Sequence, residues 1–265
     1  MAACHGRPAM TARLYGIGLG PGDPELLTLK ADRLILDLED GVAPAEKEAA
    51  RENLAELVPS DGMHFLRINP AGSPWHENDL TLAARLRPAA VVLPKAEDPA
   101  EVAGLAARFS GHGSSTALMI ETAIGVGRVR ELAGSAPDIE MLIYGSADLR
   151  LSLGARPDRD RTWERHAMGE ILLAARMHRC TAVDAVYFHY KDRDGLVREA
   201  EIARNLGFDG KSCIHPGQVE PIHQVFSSSP EELEWARKIL AAWEDQSGES
   251  RGVIVVDGEM IEALH

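Results

Sequence analysis

The stretch LILDLEDGVAPAE (residues 34–46) contains both halves of an α/β unit. Its first residues form a short apolar run, which is typical of a strand buried on both faces of a parallel sheet. Acidic side chains end the run, and Pro44 then stands where its fixed φ angle favours the first turn of a helix. The stretch therefore predicts a strand over Arg33–Asp40 and a helix over Ala45–Val58.

The same order of strand and helix recurs along the chain. Further helices are predicted at Pro99–Phe109, Trp163–Cys180 and Pro230–Trp243. Alternation of this kind indicates a parallel sheet, and eight units in 265 residues favour a closed TIM (β/α)8 barrel, an α/β fold, over an open sheet. The predicted strands are Leu14–Gly20, Arg33–Asp40, His64–Asn69, Ala89–Lys95, Ala117–Thr122, Met141–Asp148, Ala182–Phe188 and Gly207–His215.

Composition excludes several classes of protein. The 28 Lys and Arg residues against 41 Asp and Glu residues give a net charge of −13, which argues against a general nucleic-acid or anionic-membrane surface. Three widely spaced cysteines suggest neither a disulfide framework nor a zinc knuckle, so we expect a cytoplasmic protein. The sequence contains no run of 18 apolar residues, so no membrane span is predicted.

The ends of the chain fall outside the eight units. Residues 1–12 are predicted to be a loose tail, residues 13–244 the barrel, and residues 245–265 a C-terminal arm. In this arm Val253–Val256 is a β-like run and Asp257–Gly258 a tight-turn signal. On periodicity alone, the arm is equally a flap on its own barrel or an extension that covers a neighbouring subunit's active site.

Two carboxylates at consecutive strand ends form the strongest candidate metal site. Active sites of such barrels lie at the C-terminal ends of the strands. Glu121 (in MIETA) and Asp148 (in YGSADL) end strands five and six, so their carboxylates are expected to meet there. Hard oxygen ligands with room for water suit Mg²⁺, and Mn²⁺ would also fit. The alternative is that each acid forms an ordinary ion pair with a rim Arg or Lys.

Other polar residues are predicted to share that rim. Arg67 ends strand three among apolar neighbours and needs an anion, which is either a rim acid or a substrate carboxylate or enolate. Glu39 and Asp40 either accept hydrogen bonds from metal-bound water or neutralise Arg67 and Lys95. Strand eight adds Lys211 to the same rim.

A Gly/Ser loop follows strand six. Backbone N–H groups of Gly145, Ser146, Ala147 and Asp148 are candidates to hold a substrate carboxylate.

Six strings in sequence order resemble the citrate lyase beta-subunit-like family. This family includes the malyl-CoA and citramalyl-CoA lyases and belongs to the class II 2-oxoacid aldolase superfamily. The resemblance covers about residues 33–262, and six motifs in order are specific for the family but not for its substrate. The strings are LDLEDGVAP (36–44), FLRINP (65–70), VVLPKAED (91–98), MIETAIGV (119–126), IYGSADL (143–149) and GFDGKSCIHPGQV (207–219).

The resemblance implies a TIM barrel that uses Mg²⁺ to cleave or form a carbon–carbon bond. Glu121 and Asp148 match the family's metal ligands, and Arg67 matches the arginine that binds the 2-oxoacid and its enolate. The family's arm usually reads M-[IV]-D, and its aspartate is the acid that acts on the acyl-CoA fragment. Here the arm reads Met260, Ile261, Glu262, so Glu262 is the expected counterpart.

The front of the chain departs from the family's pattern. LYGIGLGPGDPELLTLKA (14–31) looks more like the opening of a tetrapyrrole methyltransferase, although the similarity covers only about 18 residues. The spacing still suits a barrel's first unit, so we interpret Gly16–Gly22 as a strand-end loop.

The resemblance predicts a Mg²⁺-dependent lyase or aldolase that cleaves a citryl-, malyl- or citramalyl-type hydroxyacyl-CoA, or a hydroxy-dicarboxylate, to a 2-oxoacid and an acyl-CoA. A CoA-independent 2-keto-acid aldolase is the alternative, but those enzymes usually carry a His where this chain has Asp40. A non-catalytic or complex-bound subunit is a third reading. The resemblance also implies a homo-oligomer, a trimer or hexamer.

Overall fold

The computed structural model describes residues 15–19, 31–57, 64–246 and 252–263. Eight parallel strands close into a barrel in sequence order, with β1 paired to both β2 and β8. The predicted α/β barrel is therefore confirmed. The strands are β1 Tyr15–Leu19, β2 Arg33–Asp37, β3 Phe65–Arg67, β4 Ala90–Leu93, β5 Ser115–Ile120, β6 Ile139–Tyr144, β7 Thr181–Asp184 and β8 Gly210–Cys213.

Alternate residues of strands β2 to β7 supply two separate apolar layers. Residues such as Ile35, Phe65 and Val92 pack with one another in one buried cluster. Their sequence neighbours, such as Leu36 and Leu66, join the larger cluster that includes the helices. Because both faces are buried, strands such as β4 and β6 are almost continuously apolar, which makes them recognisable in the sequence.

Ten helices are described, and the barrel contains the first nine. The predicted helices are confirmed to within a few residues, and Pro44 does open a short 3₁₀ turn, Pro44–Glu46, directly before α1. The helices are α1 Lys47–Leu57, α2 His76–Leu86, α3 Pro99–Ser110, α4 Ala123–Gly127, α5 Val129–Ala133, α6 Ser146–Leu153, α7 Arg165–His178, α8 Arg193–Leu206, α9 Val219–Phe226 and α10 Pro230–Gln246.

The predicted strands were too long at their C-terminal ends. The sixth was predicted to reach Asp148, but β6 ends at Tyr144 and Asp148 lies in the first turn of α6. The reason is local: Gly145 is the extended N-cap residue from which α6 begins. The polar residues that end the predicted strands therefore belong mainly to the loops and helix starts beyond them.

A second compact unit comprises residues 227–265 and contains α10 and an antiparallel hairpin. The hairpin strands are β9 Val253–Val256 and β10 Glu259–Glu262, and the turn residues Asp257 and Gly258 both have positive φ, as the tight-turn signal predicted. Ile254, Val256 and Ile261 pack on apolar side chains of α10, which explains why the helix groups with the hairpin. Whether residues 245–265 act as an arm on a neighbouring subunit stays a prediction.

Some expectations fall on residues that the structure does not describe. These include the tail at 1–12, Cys4, and most of the methyltransferase-like segment, from residue 20 to residue 30. Of the other cysteines, Cys180 and Cys213 are buried free thiols. None of the described helices has the length and hydropathy of a membrane span.

Candidate functional site

Arg67 is fixed at the C-terminal mouth of the barrel by Asp37 of the neighbouring strand. The register pairs Asp37 with Arg67, and the guanidinium donates from Nε to Oδ1 at 2.6 Å and from Nη2 to Oδ2 at 2.5 Å. Backbone N–H groups of Glu39 and Gly41 hold the same carboxylate, each at 2.9 Å. A planar guanidinium bound through two of its nitrogens is pre-oriented. Its Nη1 donates to Met119 Sδ at 3.5 Å and has a second N–H for a further partner.

Both members of this pair are charged. Burial alone would raise the pKa of Asp37, but the hydrogen bond and charge of Arg67 hold it below its ordinary value. Burial alone would lower the pKa of Arg67, but Asp37, Glu39 and Glu121 raise it above its ordinary value. The arginine therefore offers a permanent positive charge to the mouth of the barrel.

Glu39 and Lys95 form a second ion pair beside the first. Lys95 Nζ binds Glu39 Oε1 and lies 3.5 Å from Asp40 Oδ2. Arg67 Nη1 lies 3.1 Å from Glu39 Oε2, yet this buried oxygen makes no hydrogen bond within the described residues. Of the alternatives left open by the sequence, Glu39 does neutralise both cations. It also keeps one acceptor oxygen for water or a ligand.

The backbone of Lys95 is left-handed, with φ of 49°. A non-glycine residue in this conformation is uncommon and costs about 1 kcal/mol or more. Here it accompanies a hydrogen bond at 2.8 Å from the Lys95 backbone N–H to Glu121 Oε1. Lys95 thus serves the site twice, through its ammonium and through its backbone.

Glu121 is 2% exposed and has the most perturbed carboxyl at the mouth of the barrel. Burial, with the charges of Glu39 and Asp148, raises its pKa to about 7, although the N–H and ammonium of Lys95 act in the opposite direction. A carboxylate in this setting is stabilised by a bound cation.

Gly145 allows the chain to pass directly over Glu121. A Cβ at position 145 would stand 2.5 Å from Glu121 Cβ and 2.6 Å from Glu121 Oε2. The prediction that the Gly145 N–H binds a substrate carboxylate is wrong, because this group donates to the carbonyl oxygen of Ile120 at 3.1 Å. Since α6 begins at Ser146, the N–H groups of Ser146, Ala147 and Asp148 belong to its first turn and lack helical acceptors. The segment therefore combines a carboxylate, Asp148, with backbone donors suited to a substrate anion.

The predicted metal ligands fit a magnesium ion. Their donors are oxygens, they lie close enough for Asp148 to raise the pKa of Glu121, and Glu39 Oε2 is an unused acceptor nearby. No set of three or more His, Cys, Asp or Glu side chains with metal-binding geometry occurs among the described residues. Two carboxylates suffice for Mg²⁺, which keeps several waters and takes further oxygens from its substrate.

Two residues were placed wrongly or missed by sequence reasoning. Asp37 was recognised as a strand-end acid but given no role, although its register opposite Arg67 makes it the partner of that arginine. Lys211 was expected on the rim, but it is fully buried and binds Asp184 Oδ2 and Glu199 Oε1, each at 2.7 Å. With Arg161 and Glu164 these three residues form a separate buried network, the Arg161 cluster.

Glu262 lies on β10 in the second unit and is partly buried. Its predicted catalytic role stays a prediction.

The raised pKa of Glu121 predicts a pH dependence of stability in the absence of metal. Between pH 4.5, the ordinary value, and about 7, the unfolded carboxyl ionises while the buried one keeps its proton. The contribution of Glu121 to the free energy of unfolding is therefore fully present below pH 4.5. It is lost as the pH rises to about 7, and the loss is on the order of 3 kcal/mol. Urea unfolding in EDTA across this range should show the slope, and Glu121→Gln should remove it. Equal slopes in both proteins would contradict the assignment.

Gly145→Ala should distort the site, because the added methyl group collides with the Glu121 side chain. We expect a stability loss of about 1–3 kcal/mol in urea unfolding, together with a smaller rise in melting temperature on adding Mg²⁺. Gly104→Ala is the matched control, because its new Cβ has no neighbour within 4 Å and α3 should gain from alanine. An unchanged magnesium response in Gly145→Ala would count against the close packing.

Comparisons with known proteins show what this chain is similar to. Residues 25–216 match the family model described as HpcH/HpaI aldolase/citrate lyase. A protein of Cereibacter sphaeroides named (3S)-malyl-CoA thioesterase is 39% identical, over 89% of this chain and 84% of that protein. The mitochondrial citramalyl-CoA lyase of Mus musculus is 30% identical, over 91% of this chain and 80% of that protein.

A solved structure is also similar over nearly the whole chain. It is the protein CitE of Mycobacterium tuberculosis in complex with magnesium, acetoacetate and coenzyme A. The TM-score is 0.84 at 33% identity, covering 96% of this chain and 94% of that one.

Proposed function

Because this chain belongs to the HpcH/HpaI aldolase/citrate lyase family, we propose that it is a Mg²⁺-dependent carbon–carbon lyase. Its substrates would be hydroxyacyl-CoA thioesters of the citryl, malyl or citramalyl type, cleaved to a 2-oxoacid and an acyl-CoA. The observation that carries the proposal is the buried carboxylate Glu121, which interacts electrostatically with Asp148 and with the guanidinium of Arg67 that Asp37 holds in place. The magnesium-bound and CoA-bound CitE structure supports it.

In this proposal Glu121 and Asp148 hold the ion, which when bound would act as a Lewis acid toward the substrate oxygens. The N–H groups at Ser146–Asp148 orient the substrate carboxylate. The substrate hydroxyl loses its proton to solvent, and Arg67 donates to the resulting alkoxide oxygen and offsets its negative charge. As the carbon–carbon bond breaks, this oxygen becomes the carbonyl of the 2-oxoacid and the bonding electron pair moves to the acyl-CoA fragment. Because Asp37 already fixes the guanidinium, little reorientation accompanies this charge development.

The acyl-CoA fragment leaves as an enolate that must take up a proton at carbon. We assign this proton to Glu262, with residues 245–265 serving as an arm over the active site of a neighbouring subunit in a homo-oligomer, a trimer or hexamer. The match of Met260, Ile261 and Glu262 to the family's arm supports this. The buried free thiols of Cys180 and Cys213 suit a cytoplasmic location.

Hydrolysis of the thioester is a second candidate activity. The observation that favours it is the 39% identity to a protein named (3S)-malyl-CoA thioesterase. A lyase releases a 2-oxoacid and keeps the thioester intact, whereas a thioesterase releases the hydroxyacid and free CoA thiol. The two reactions are therefore separable by their products.

The test is a screen of malyl-, citramalyl- and citryl-CoA with Mg²⁺ or with EDTA. We expect 2-oxoacid to form, with Mg²⁺ required. Free thiol without 2-oxoacid would replace the lyase assignment with thioester hydrolysis. No turnover of any thioester, together with cleavage of free hydroxy-dicarboxylates, would indicate a CoA-independent aldolase. No turnover of either kind would favour a non-catalytic subunit.

Glu262→Gln should lower kcat for the thioester by about 10²-fold or more, since it removes a proton donor. The control is Glu259→Gln, a neighbouring and exposed carboxylate on the same strand. An equal rate in the Glu262 and Glu259 variants would remove Glu262 from the mechanism.

A further inference from the structure

The residues that follow β2 carry Glu39 into the candidate active site beyond the support of the sheet. β2 ends at Asp37, so the main chain at residues 38 and 39 lies past the last pair of the β2–β3 ladder. Glu39 is 3% exposed, and its two carboxylate oxygens lie against Lys95 and Arg67, which follow different strands. A carboxylate that serves two partners in this way needs a fixed main chain beneath it.

Lys47, the first residue of α1, binds this main chain directly. Its Nζ donates to the carbonyl oxygen of Leu38 at 2.7 Å and to that of Glu39 at 2.8 Å. The ammonium also lies 4.9 Å from the centroid of the Trp75 ring, which is a cation–π distance. Because Trp75 directly precedes α2, one side chain joins the connections that follow β2 and β3.

Lys47 is an unusual buried lysine. It is 4% exposed, and within the described part of the chain no carboxylate forms an ion pair with it. Lysine is rarely buried this deeply without such a pair, because removing an ammonium from water is costly. Burial accordingly lowers the pKa of Lys47, although the charge of Asp37 opposes the shift. Since its hydrogen bonds go to main-chain carbonyl groups, its contribution is the position that it gives to residues 38 and 39.

A second side chain binds one of the same carbonyl groups. Asn69 Nδ2 donates to the carbonyl oxygen of Leu38 at 2.8 Å. Asn69 is itself anchored, because its main-chain N–H and its amide both donate to the fully buried carboxylate of Asp79, at 2.8 and 2.6 Å. Asn69 stands two residues after Arg67, so the ends of β2 and β3 are tied to each other. The carbonyl group that Lys47 binds is therefore held from two sides.

We propose that Lys47 is a positioning residue, which holds the main chain at residues 38 and 39 so that the Glu39 carboxylate stays in contact with both of its cationic partners. The effect on turnover rests on the proposed function, whereas the fixing of the main chain does not. One of these partners, Arg67, acts on the alkoxide that forms during turnover, while other groups hold the substrate carboxylate. Loss of Lys47 should therefore lower kcat and leave KM nearly unchanged.

Steady-state kinetics with the thioester that is turned over best test this role. Lys47→Met keeps an unbranched side chain and removes the ammonium, and we expect kcat to fall about tenfold or more while KM changes less than about threefold. Lys47→Arg should recover most of kcat, because a guanidinium can donate to both carbonyl oxygens. Lys191→Met is the matched control and should keep the wild-type kcat. It also removes a lysine that lies over an aromatic ring, 5.6 Å from the centroid of Tyr190, but Lys191 is exposed.

A double-mutant cycle separates positioning from a general structural role. If Lys47 acts through Glu39, Lys47→Met should lower kcat by less than about twofold in a protein that already carries Glu39→Gln. An equal loss of kcat in both backgrounds, or an unchanged kcat in Lys47→Met alone, overturns the proposal. If Lys47→Met does not fold, Lys47→Gln takes its place under the same criteria, because its shorter side chain retains a neutral donor.

Amide hydrogen exchange measures the main chain directly and needs no substrate. The N–H groups of Leu38, Glu39, Gly41 and Val42 are all hydrogen-bonded. Lys47→Met should speed exchange in the peptide that covers residues 36–44 by about tenfold, with peptides of α3 unchanged. Equal exchange in the two proteins, or a uniform increase over all peptides, overturns the proposal. A wild-type protein that turns over no thioester refutes the proposed function, and the exchange comparison then decides the role of Lys47 alone.

Discussion

Glu121→Gln should reduce turnover to about 1% of the wild-type rate or less, while the protein remains folded. The amide keeps the size of the side chain and can still accept the hydrogen bond from the Lys95 N–H. It cannot supply the negative charge that a cation between positions 121 and 148 requires. The substitution therefore removes metal-dependent activity without leaving a cavity at position 121.

The same substitution should have the opposite effect on metal-free stability. At neutral pH the wild-type protein bears part of the cost of a buried carboxylate near Glu39 and Asp148, and the neutral amide does not. In EDTA, Glu121→Gln is expected to unfold at a urea concentration equal to or higher than that of wild type. Adding Mg²⁺ should raise the melting temperature of the wild type alone, as binding to the native state requires.

The control is Glu140→Gln, which removes an exposed carboxylate from β6. This variant should keep both activity and the magnesium-dependent rise in melting temperature. A Glu121 variant that still responds to Mg²⁺ as wild type does would refute the ligand assignment, and a variant that is inactive because it is unfolded would show in the urea curves.

Arg161→Met should cause a large loss of stability, about 3–5 kcal/mol. Arg161 is 1% exposed, and its guanidinium donates to Glu164 at 2.8 and 3.0 Å and to Asp184 at 2.8 and 2.9 Å. Without it, Asp184 keeps Lys211 alone, and Glu164 loses the ion pair that the structure records for it. The penalty comes from these uncompensated buried carboxylates rather than from the lost contact itself.

Urea unfolding at neutral pH measures this loss. Arg108→Met is the matched control, because Arg108 also donates to a carboxylate, that of Glu77 at 3.0 Å, but both side chains are exposed. Exposed pairs contribute about 0–1 kcal/mol. Similar losses for the two variants would mean that the Arg161 cluster is worth no more than a surface pair.

The barrel was predictable because its signal is redundant. Strands β2 to β7 are buried on both faces, and most of them are apolar runs in the sequence, so several separate runs indicated the same fold. The C-terminal ends of the strands were harder to predict, because a polar residue that follows an apolar run can belong either to the strand or to the next helix. Asp148 illustrates this: its helix depends on the turn at Gly145, a feature of the backbone rather than of composition.

The partners of charged residues were less predictable than their positions. Arg67 was recognised as needing an anion, but the choice of Asp37 depends on the register between β2 and β3, which a single sequence does not specify. Lys211 was misassigned for a related reason. Its partner Asp184 lies on the adjacent strand, and Arg161 reaches the same carboxylate from a loop before α7.

Closure of the barrel through β1 and β8 also has a consequence for folding during synthesis on the ribosome. Tyr15 pairs with Ser212, so a nascent strand waits for a partner that the ribosome adds about 200 residues later. At ordinary rates of translation this interval lasts about 10–40 s. During this interval the first strand has one unpaired edge, and an unpaired strand edge is prone to aggregation until the eighth strand emerges.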